Sequence, residues 1–269
     1  MVYLRSVSIQ SDRFPDRRHF PFNVAALGER QELVLHSPVV LFSGENGSGK
    51  STLLDAIARR CGIAIWDKPR RHQSHNNPFE ADLHKYLSIE WAAGSVKGSL
   101  FRAETFREFA DFLDDVALSD PGRLRYHGGH ILTTLSHGQG FLSYFEGRFE
   151  RAGLFFLDEP EAALSPASQI RLVRALGRLE QQGGAQFVIA THSPILLGYP
   201  GAQIFCFDAP HITEVRYEET HAFQIYRRLF GGPNMAPQLH EECSATSRGS
   251  GRGRALSPIP ESSQAICLV

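Results

Sequence analysis

The stretch that decides the fold is GENGSGKS, residues 44–51, which follows the apolar run VVLF at 39–42. It matches the pattern G-x-x-x-x-G-K-[ST], in which glycines let the backbone wrap a chain of phosphates with its amide N–H groups. Leu53, Leu54 and Ile57 follow at helical spacing, so strand, loop and helix come in the order that a phosphate-binding loop requires. The phosphates should contact the loop and the first helical residues: Gly44, Glu45, Asn46, Gly47, Ser48, Gly49, Lys50, Ser51 and Thr52.

Several side chains in and near this loop are expected to act directly on the phosphates. We expect Lys50 to neutralise the β and γ phosphates, Ser51 to ligate Mg²⁺ and Thr52 to donate to the α phosphate. Asp158 ends the apolar run LFFL, and a carboxylate at the end of a buried strand is placed to hold Mg²⁺ through water. Glu159 follows it and is suited to polarise an attacking water. An ordinary acidic turn before a helix is the alternative for this pair.

Two polar segments follow other predicted elements. His192 comes after the apolar run 186–190, which we expect to lie beside the strand of Asp158, within reach of a γ phosphate. The stretch SHGQG at 136–140, taken alone, predicts a tight turn and a helix N-cap at Ser136.

The order of the periodic segments indicates an α/β fold. Residues 2–10 alternate as a half-buried strand does, whereas 153–157, 186–190 and 203–207 are continuous apolar runs. A helix is expected at about 166–182, between the first two of these runs. Strand, helix and strand in this order predict a parallel sheet that is covered on both faces.

The remaining segments are helical or polar. Residues 104–118 predict an amphipathic helix, with these side chains on one face: Phe106, Phe109, Leu113 and Val116. The segment 66–82 is polar and predicts a loop. Residues 241–269 are rich in Ser, Gly, Arg and Pro and predict a disordered C-terminal tail.

Composition limits the class of protein. The net charge of −1 gives no whole-chain signal for nucleic acid or an anionic membrane. No stretch approaches the roughly 20 apolar residues of a membrane helix, so we expect a cytoplasmic protein with no membrane segment of its own. The four cysteines are scattered without metal-ligand spacing and are expected to be reduced thiols: Cys61, Cys206, Cys243 and Cys267.

Taken together, these segments resemble the ABC ATPase family in order and spacing. The loop 44–51 is similar to the Walker A motif, LSHGQG at 135–140 to the signature motif, and LFFLDE at 154–159 to Walker B with its catalytic glutamate. Residues 161–165 match the D-loop, and His192 matches the switch histidine.

The resemblance implies a fold, two cofactors and a dimer. The fold is a P-loop NTPase with a mainly parallel central sheet flanked by helices, an N-terminal antiparallel β portion and a small helical lid, about 64–140, within an ATPase domain at 1–240. The cofactors are ATP and Mg²⁺, and Lys50, Glu159 and His192 are the implied catalytic residues. Two subunits pair head to tail, so each ATP also meets three signature residues of the second copy: Ser136, Gly138 and Gln139.

The chain departs from the family pattern in several places. His137 replaces the first signature glycine, and Ser165 replaces the usual D-loop aspartate. The family's Mg²⁺-sensing glutamine is absent from its expected position; Glu104 is the best placed metal ligand there, and Gln73 is the alternative. Two aromatic residues are candidates for stacking on adenine: Phe20 and Phe22.

The motif endings favour one branch of the family. EPEAALSP and THSP resemble the soluble SMC/RecF-like and AAA15/21-type predicted ATPases more than transporter subunits. No heptad run separates Lys50 from Ser136, which excludes a long DNA-tethering coiled coil. We therefore expect an ATP-hydrolysing dimer switch that acts on a DNA or protein partner, in DNA repair or defence. The alternatives are the ATP-binding subunit of a transporter and a non-hydrolysing ATP sensor.

Overall fold

The computed structural model describes residues 1–65, 77–148 and 152–230. The chain divides into two compact units, Met1–Ile225 and Tyr226–Val269. Gln73 and the predicted tail at 241–269 lie outside the described residues, and so does the predicted domain boundary at 240.

The predicted strands at 153–157, 186–190 and 203–207 and the predicted helices at 104–118 and 166–182 are present, together with further elements that the pattern did not predict. The strands are β1 Leu4–Ile9, β2 Gln31–Val34, β3 Val39–Ser43, β4 Ala64–Ile65, β5 Leu87–Trp91, β6 Gly98–Arg102, β7 Gly153–Asp158, β8 Ala185–Ala190, β9 Gln203–Cys206 and β10 Thr213–Val215. The helices are α1 Lys50–Arg60, α2 Phe106–Ser119, α3 His137–Arg148, α4 Pro166–Gln182, α5 Pro194–Leu197 and α6 His221–Phe230. In the part of the chain that the structure covers, no helix is long and apolar enough to cross a membrane.

A seven-stranded sheet forms the centre, in the order β10-β9-β3-β8-β7-β6-β4. The pairs from β9 to β4 are parallel, and only β10 runs antiparallel to its neighbour β9. Asp158 of β7 lies opposite Ala190 of β8 on one side and Arg102 of β6 on the other. Because the carboxyl ends of parallel strands share one edge, the polar residues that follow these strands gather there.

Both faces of the central sheet are covered, as continuous apolar strands require. Val40 and Phe42 of β3 belong to one buried cluster together with Leu54 of α1. Leu41, on the opposite face of the same strand, belongs to a second cluster with Leu172 of α4. The doubly covered parallel sheet predicted from the apolar runs is confirmed.

A smaller antiparallel sheet, β2-β1-β5, flanks this core; β1 and β2 precede it in the chain, and β5 follows α1 and β4. Its inward residues Leu4, Val7 and Leu33 join the cluster that contains α1. This is the N-terminal antiparallel β portion that the resemblance predicts.

Helix α2 is amphipathic as predicted, but its most buried positions include residues outside the predicted face. The structure buries Phe106, but Phe109 is only partly buried, and the second and third fully buried positions are Ala110 and Asp114. The Asp114 carboxylate accepts the backbone N–H groups of Leu132 (2.9 Å) and Thr133 (2.8 Å). Phe109 and Leu113 of the predicted face pack against the buried cluster, and the buried carboxylate of Asp114, which holds the segment that leads to α3, is the part that hydrophobic spacing does not reveal.

Candidate nucleotide-binding and hydrolytic site

The loop between β3 and α1 has the backbone geometry of a phosphate cradle. Gly44 (φ 149°) and Gly49 (φ 104°) adopt conformations that side chains disfavour. A Cβ on Gly49 would lie 2.6 Å from Val24 Cγ1, and one on Gly44 would lie 2.9 Å from Asp208 Oδ1. The glycines therefore serve both the turn and its close packing against neighbouring segments.

Lys50 is folded into this loop. Its Nζ donates to the carbonyl oxygens of Gly44 (2.6 Å) and Glu45 (2.8 Å), and the residue is only 3% exposed. Burial lowers the pKa of Lys50, and the nearby carboxylates of Glu159 and Asp208 act in the opposite direction. The ammonium group is thus held at the loop by two carbonyls and surrounded by negative charge.

Ser51 and Asp158 meet across the sheet edge. The Ser51 hydroxyl donates to Asp158 Oδ1 at 2.6 Å. Burial raises the pKa of Asp158 to about 6, although the bond from Ser51 and the charge of Arg102 lower it. A hydroxyl oxygen and a carboxylate oxygen side by side match the ligand preference of Mg²⁺.

Glu159 has a strained backbone. With φ 45° it is the one non-glycine residue at positive φ in the described ranges, and its N–H donates to Ala190 O at 2.9 Å. Such a conformation costs about 1–3 kcal/mol and persists where its surroundings impose it. Here it turns Glu159 towards the Lys50 cavity, a cavity of about 490 Å³ with this lining: Phe20, Asn23, Val24, Ala25, Asn46, Gly47, Gly49, Lys50, Ser51, Thr52 and Glu159.

His192 lies just beyond the end of β8, next to the strand of Asp158. Its Nδ1 is 3.3 Å from Glu161 Oε1 and 4.0 Å from Glu159 Oε1, and its side chain is half exposed. His192 therefore lies beside the strand of Asp158, as expected.

The segment 136–139 is separate from the Lys50 cavity. Ser136 donates both its N–H (3.2 Å) and its hydroxyl (2.8 Å) to Gln139 Oε1, and both residues are exposed. Gly138 packs closely, since a Cβ there would lie 3.0 Å from Ala163 O. His137 stacks edge-on against Phe106, with ring centroids 5.5 Å apart. Among the described residues, none from this segment lines the cavity.

The two aromatic candidates differ sharply in their surroundings. Phe22 is 2% exposed and packs against Phe14 and Tyr86, with ring centroids 4.7 and 5.2 Å away. Phe20 is 42% exposed and lines the Lys50 cavity. Glu104 is exposed in the turn after β6 and is not part of that lining as the described residues form it.

Three charged residues at the site could not be assigned from the sequence. Asp208 Oδ1 accepts the N–H of Glu45 at 2.7 Å. Arg102 is ion-paired with Asp55, and its Nε lies 3.9 Å from Asp158 Oδ2. Glu161 is buried beneath residues 191–193. For Arg102, its position at a strand end could have indicated a place at the site. The roles of Asp208 and Glu161 depend on contacts between segments that are distant in the sequence.

Comparison with known proteins agrees with this geometry. One family model, "AAA domain", matches residues 21–102, which contain the phosphate loop. A second, "AAA domain, putative AbiEii toxin, Type IV TA system", matches residues 130–198, which contain Ser136, Asp158 and His192. The solved structure of cbiO1 from Clostridium perfringens, part of the ABC transporter complex cbiONQ, has the same fold, with a TM-score of 0.52 at 18% identity over 90% of this chain and 100% of that one. In fold and motifs the chain resembles the P-loop ATPases of the ABC class.

Curated relatives of this chain include transporter components. The ribose import ATP-binding protein RbsA 1 of Burkholderia thailandensis is 27% identical over 65% of the chain and 37% of its own length. A protein of Geobacter sulfurreducens named GSU3001, an ABC transporter ATP-binding protein by its description, is 25% identical over 70% of the chain and 69% of its own length. The chain spans less than half the length of the ribose import relatives that it matches.

Proposed function

We propose that this chain hydrolyses ATP in the Lys50 cavity. The observation that carries the proposal is the Ser51–Asp158 bond beside Lys50, with Glu159 turned towards the same cavity. Lys50 neutralises the β and γ phosphates, and Thr52 donates to the α phosphate. Phe20 is the aromatic side chain available to stack on adenine, since Phe22 is in the core.

The metal-binding part of the proposal uses oxygen ligands. Ser51 and Asp158 would hold Mg²⁺, the aspartate through water, with the exposed Glu104 as a further ligand. Bound there, Mg²⁺ would neutralise charge that develops on the phosphate oxygens. Glu159 would accept a proton from the attacking water, and His192 would donate to the γ phosphate.

A complete site requires a second copy of the chain. Ser136 and Gln139 are exposed and Gly138 is partly buried, and all three lie outside the lining of the Lys50 cavity, which leaves the segment available to contact the ATP of a partner. We therefore propose a head-to-tail homodimer that closes on ATP. The proposed ATP-binding unit is residues 1–240, and a chain truncated after residue 240 should still bind ATP. Within the segment at about 64–140 that was predicted as the lid, β4, β5 and β6 belong to the two sheets, so we propose as the lid its helical part from α2 onward.

The partner of this dimer is proposed from the motif endings. EPEAALSP and THSP favour a cytoplasmic switch that acts on DNA or a protein, in repair or defence. The second candidate is the ATP-binding subunit of a transporter, because the curated relatives include ribose import proteins. Stimulation of ATP hydrolysis by DNA would support the switch, whereas co-purification with a membrane protein would support the transporter subunit.

Glu159→Gln tests the hydrolytic proposal. The variant should bind ATP, accumulate as an ATP-bound dimer on size-exclusion chromatography, and release phosphate at least about 100-fold more slowly than the wild type. Glu90→Gln, on the exposed face of β5, is a matched control that should behave as the wild type. If the wild type and Glu159→Gln release phosphate equally slowly, the chain is a non-hydrolysing sensor and the proposal is wrong.

A further inference from the structure

One carboxylate oxygen organises the segment that carries His192. Glu161 Oε1 accepts the hydroxyl of Thr191 (2.7 Å), the N–H of His192 (2.8 Å) and the N–H of Ser193 (3.3 Å). The same oxygen lies 3.3 Å from Nδ1 of the His192 imidazole. Three consecutive residues are therefore tied to a single atom that comes from a different segment of the chain.

Within the described residues, only one of the two carboxylate oxygens of Glu161 accepts hydrogen bonds, although both are buried. Its side chain is 5% exposed, and Oε2 is buried with no hydrogen-bond partner in the described part of the chain. A buried polar atom without a hydrogen-bond partner lowers the free energy of unfolding, so a carboxylate with one unbonded oxygen does not serve stability alone. What this side chain does accomplish is to hold residues 191–193.

The far side of the same segment is also fixed. The Ser193 hydroxyl donates to Gln169 Oε1 at 2.6 Å and accepts the N–H of Ile195 at 3.2 Å, which caps α5. The N–H of Thr191 donates to Phe42 O at 3.0 Å. The residues on both sides of His192, Thr191 and Ser193, are thus held by hydrogen bonds, and the imidazole of His192 is half exposed.

We propose that Glu161 is a positioning residue for His192. The carboxylate accepts the backbone N–H of His192 and lies 3.3 Å from the imidazole Nδ1, which leaves Nε2 as the nitrogen that faces away from Glu161. Glu161 lies in the short turn Pro160–Ala163, directly after Glu159, so one turn places both the proposed base and the proposed donor to the γ phosphate. This inference rests on the proposed ATP hydrolysis.

A double-mutant cycle on ATP hydrolysis tests the inference. Glu161→Ala should lower kcat roughly 10- to 100-fold, with KM for ATP within about threefold of the wild type, because Glu161 orients His192 without touching the nucleotide. His192→Ala should lower kcat by a similar factor, and adding Glu161→Ala to it should lower kcat no further. Glu161→Gln keeps an acceptor oxygen for the same three donors and should restore kcat to within about threefold of the wild type.

The controls separate the possible failures. Glu90→Ala, an exposed glutamate of β5, should leave kcat unchanged. If the wild type shows no hydrolysis, the proposed function itself is wrong. If the wild type is active and Glu161→Ala lowers kcat as much in the His192→Ala background as alone, or changes only KM, the positioning role is refuted. The positioning role is also refuted if Glu161→Gln, folded by circular dichroism, is as slow as Glu161→Ala.

Discussion

Asp158→Asn should stabilise the protein while it abolishes ATP hydrolysis. Burial raises the pKa of Asp158 from 3.8 to about 6. Because the folded state binds this proton more tightly than the unfolded state, the contribution of Asp158 to stability is fully present below about pH 4. It is lost as the pH rises through about 6. At about 1.4 kcal/mol for each pKa unit, the ionised carboxylate lowers the free energy of unfolding by up to about 3 kcal/mol at pH 8.

Asparagine is close in shape to the protonated side chain and carries no charge to desolvate. We therefore expect Asp158→Asn to raise the free energy of unfolding by about 1–3 kcal/mol at pH 8, and by less than about 1 kcal/mol at pH 4. The measurement is urea unfolding without nucleotide and in the presence of EDTA, at pH values between 4 and 8. Taking the difference between variant and wild type at each pH removes the contribution of groups that titrate identically in both.

Asp111→Asn, an exposed aspartate of α2, is the matched control and should shift stability by less than about 0.5 kcal/mol at every pH. If Asp158→Asn destabilises the protein at pH 8, or stabilises it equally at pH 4 and pH 8, the reasoning from burial is refuted. Hydrolysis by the variant should be undetectable, since the neutral amide is a much weaker ligand for Mg²⁺ than the carboxylate.

The other predictions concern single side chains of the site. Gly49→Ala should lower the free energy of unfolding by more than about 1 kcal/mol, because Gly49 has a positive φ and the new Cβ would lie 2.6 Å from Val24 Cγ1. As a control, Gly177→Ala, inside α4, should leave thermal stability unchanged or raise it. Phe20→Ala should weaken ATP binding about tenfold in a fluorescent-nucleotide titration, with little change in stability. Phe22→Ala should instead lower the free energy of unfolding by about 3–5 kcal/mol, and equal losses of stability in the two variants would contradict this. Arg102→Gln should cost about 1–3 kcal/mol in urea unfolding because it leaves Asp55 and Asp158 less compensated, whereas Arg5→Gln, from an exposed ion pair, should cost under about 1 kcal/mol.

Much of the fold follows from local sequence patterns. Helix α4 spans Pro166–Gln182, as predicted, because a proline occupies its first turn, Ser165 caps it and Gly183 ends it at positive φ. The strands β7 and β8 lie where continuous apolar runs predict them, because buried parallel strands need apolar side chains on both faces. These signals are contained within a single segment, so one sequence is enough to read them.

The features that were missed depend on contacts between distant segments. Asp114 is buried because it holds Leu132, and Glu161 is buried because it holds residue 191 and its neighbours. Phe20 and Phe22 are indistinguishable by type and position, and only packing against Tyr86 assigns Phe22 to the core. Hydrophobic periodicity carries no information on such polar contacts or on the choice between two adjacent aromatic residues.

Two copies of the chain are proposed to complete one another's ATP site, and mixing two inactive variants tests this most directly. Glu159→Gln should bind ATP without hydrolysing it, and Ser136→Arg should block the exposed segment before α3 while keeping Glu159. Each variant alone should be inactive. In a heterodimer, the Lys50 cavity of the Ser136→Arg chain would meet an unmodified Ser136, so the mixture should recover phosphate release. If the wild type is active and the mixture stays as inactive as its components, the proposed head-to-tail site is wrong.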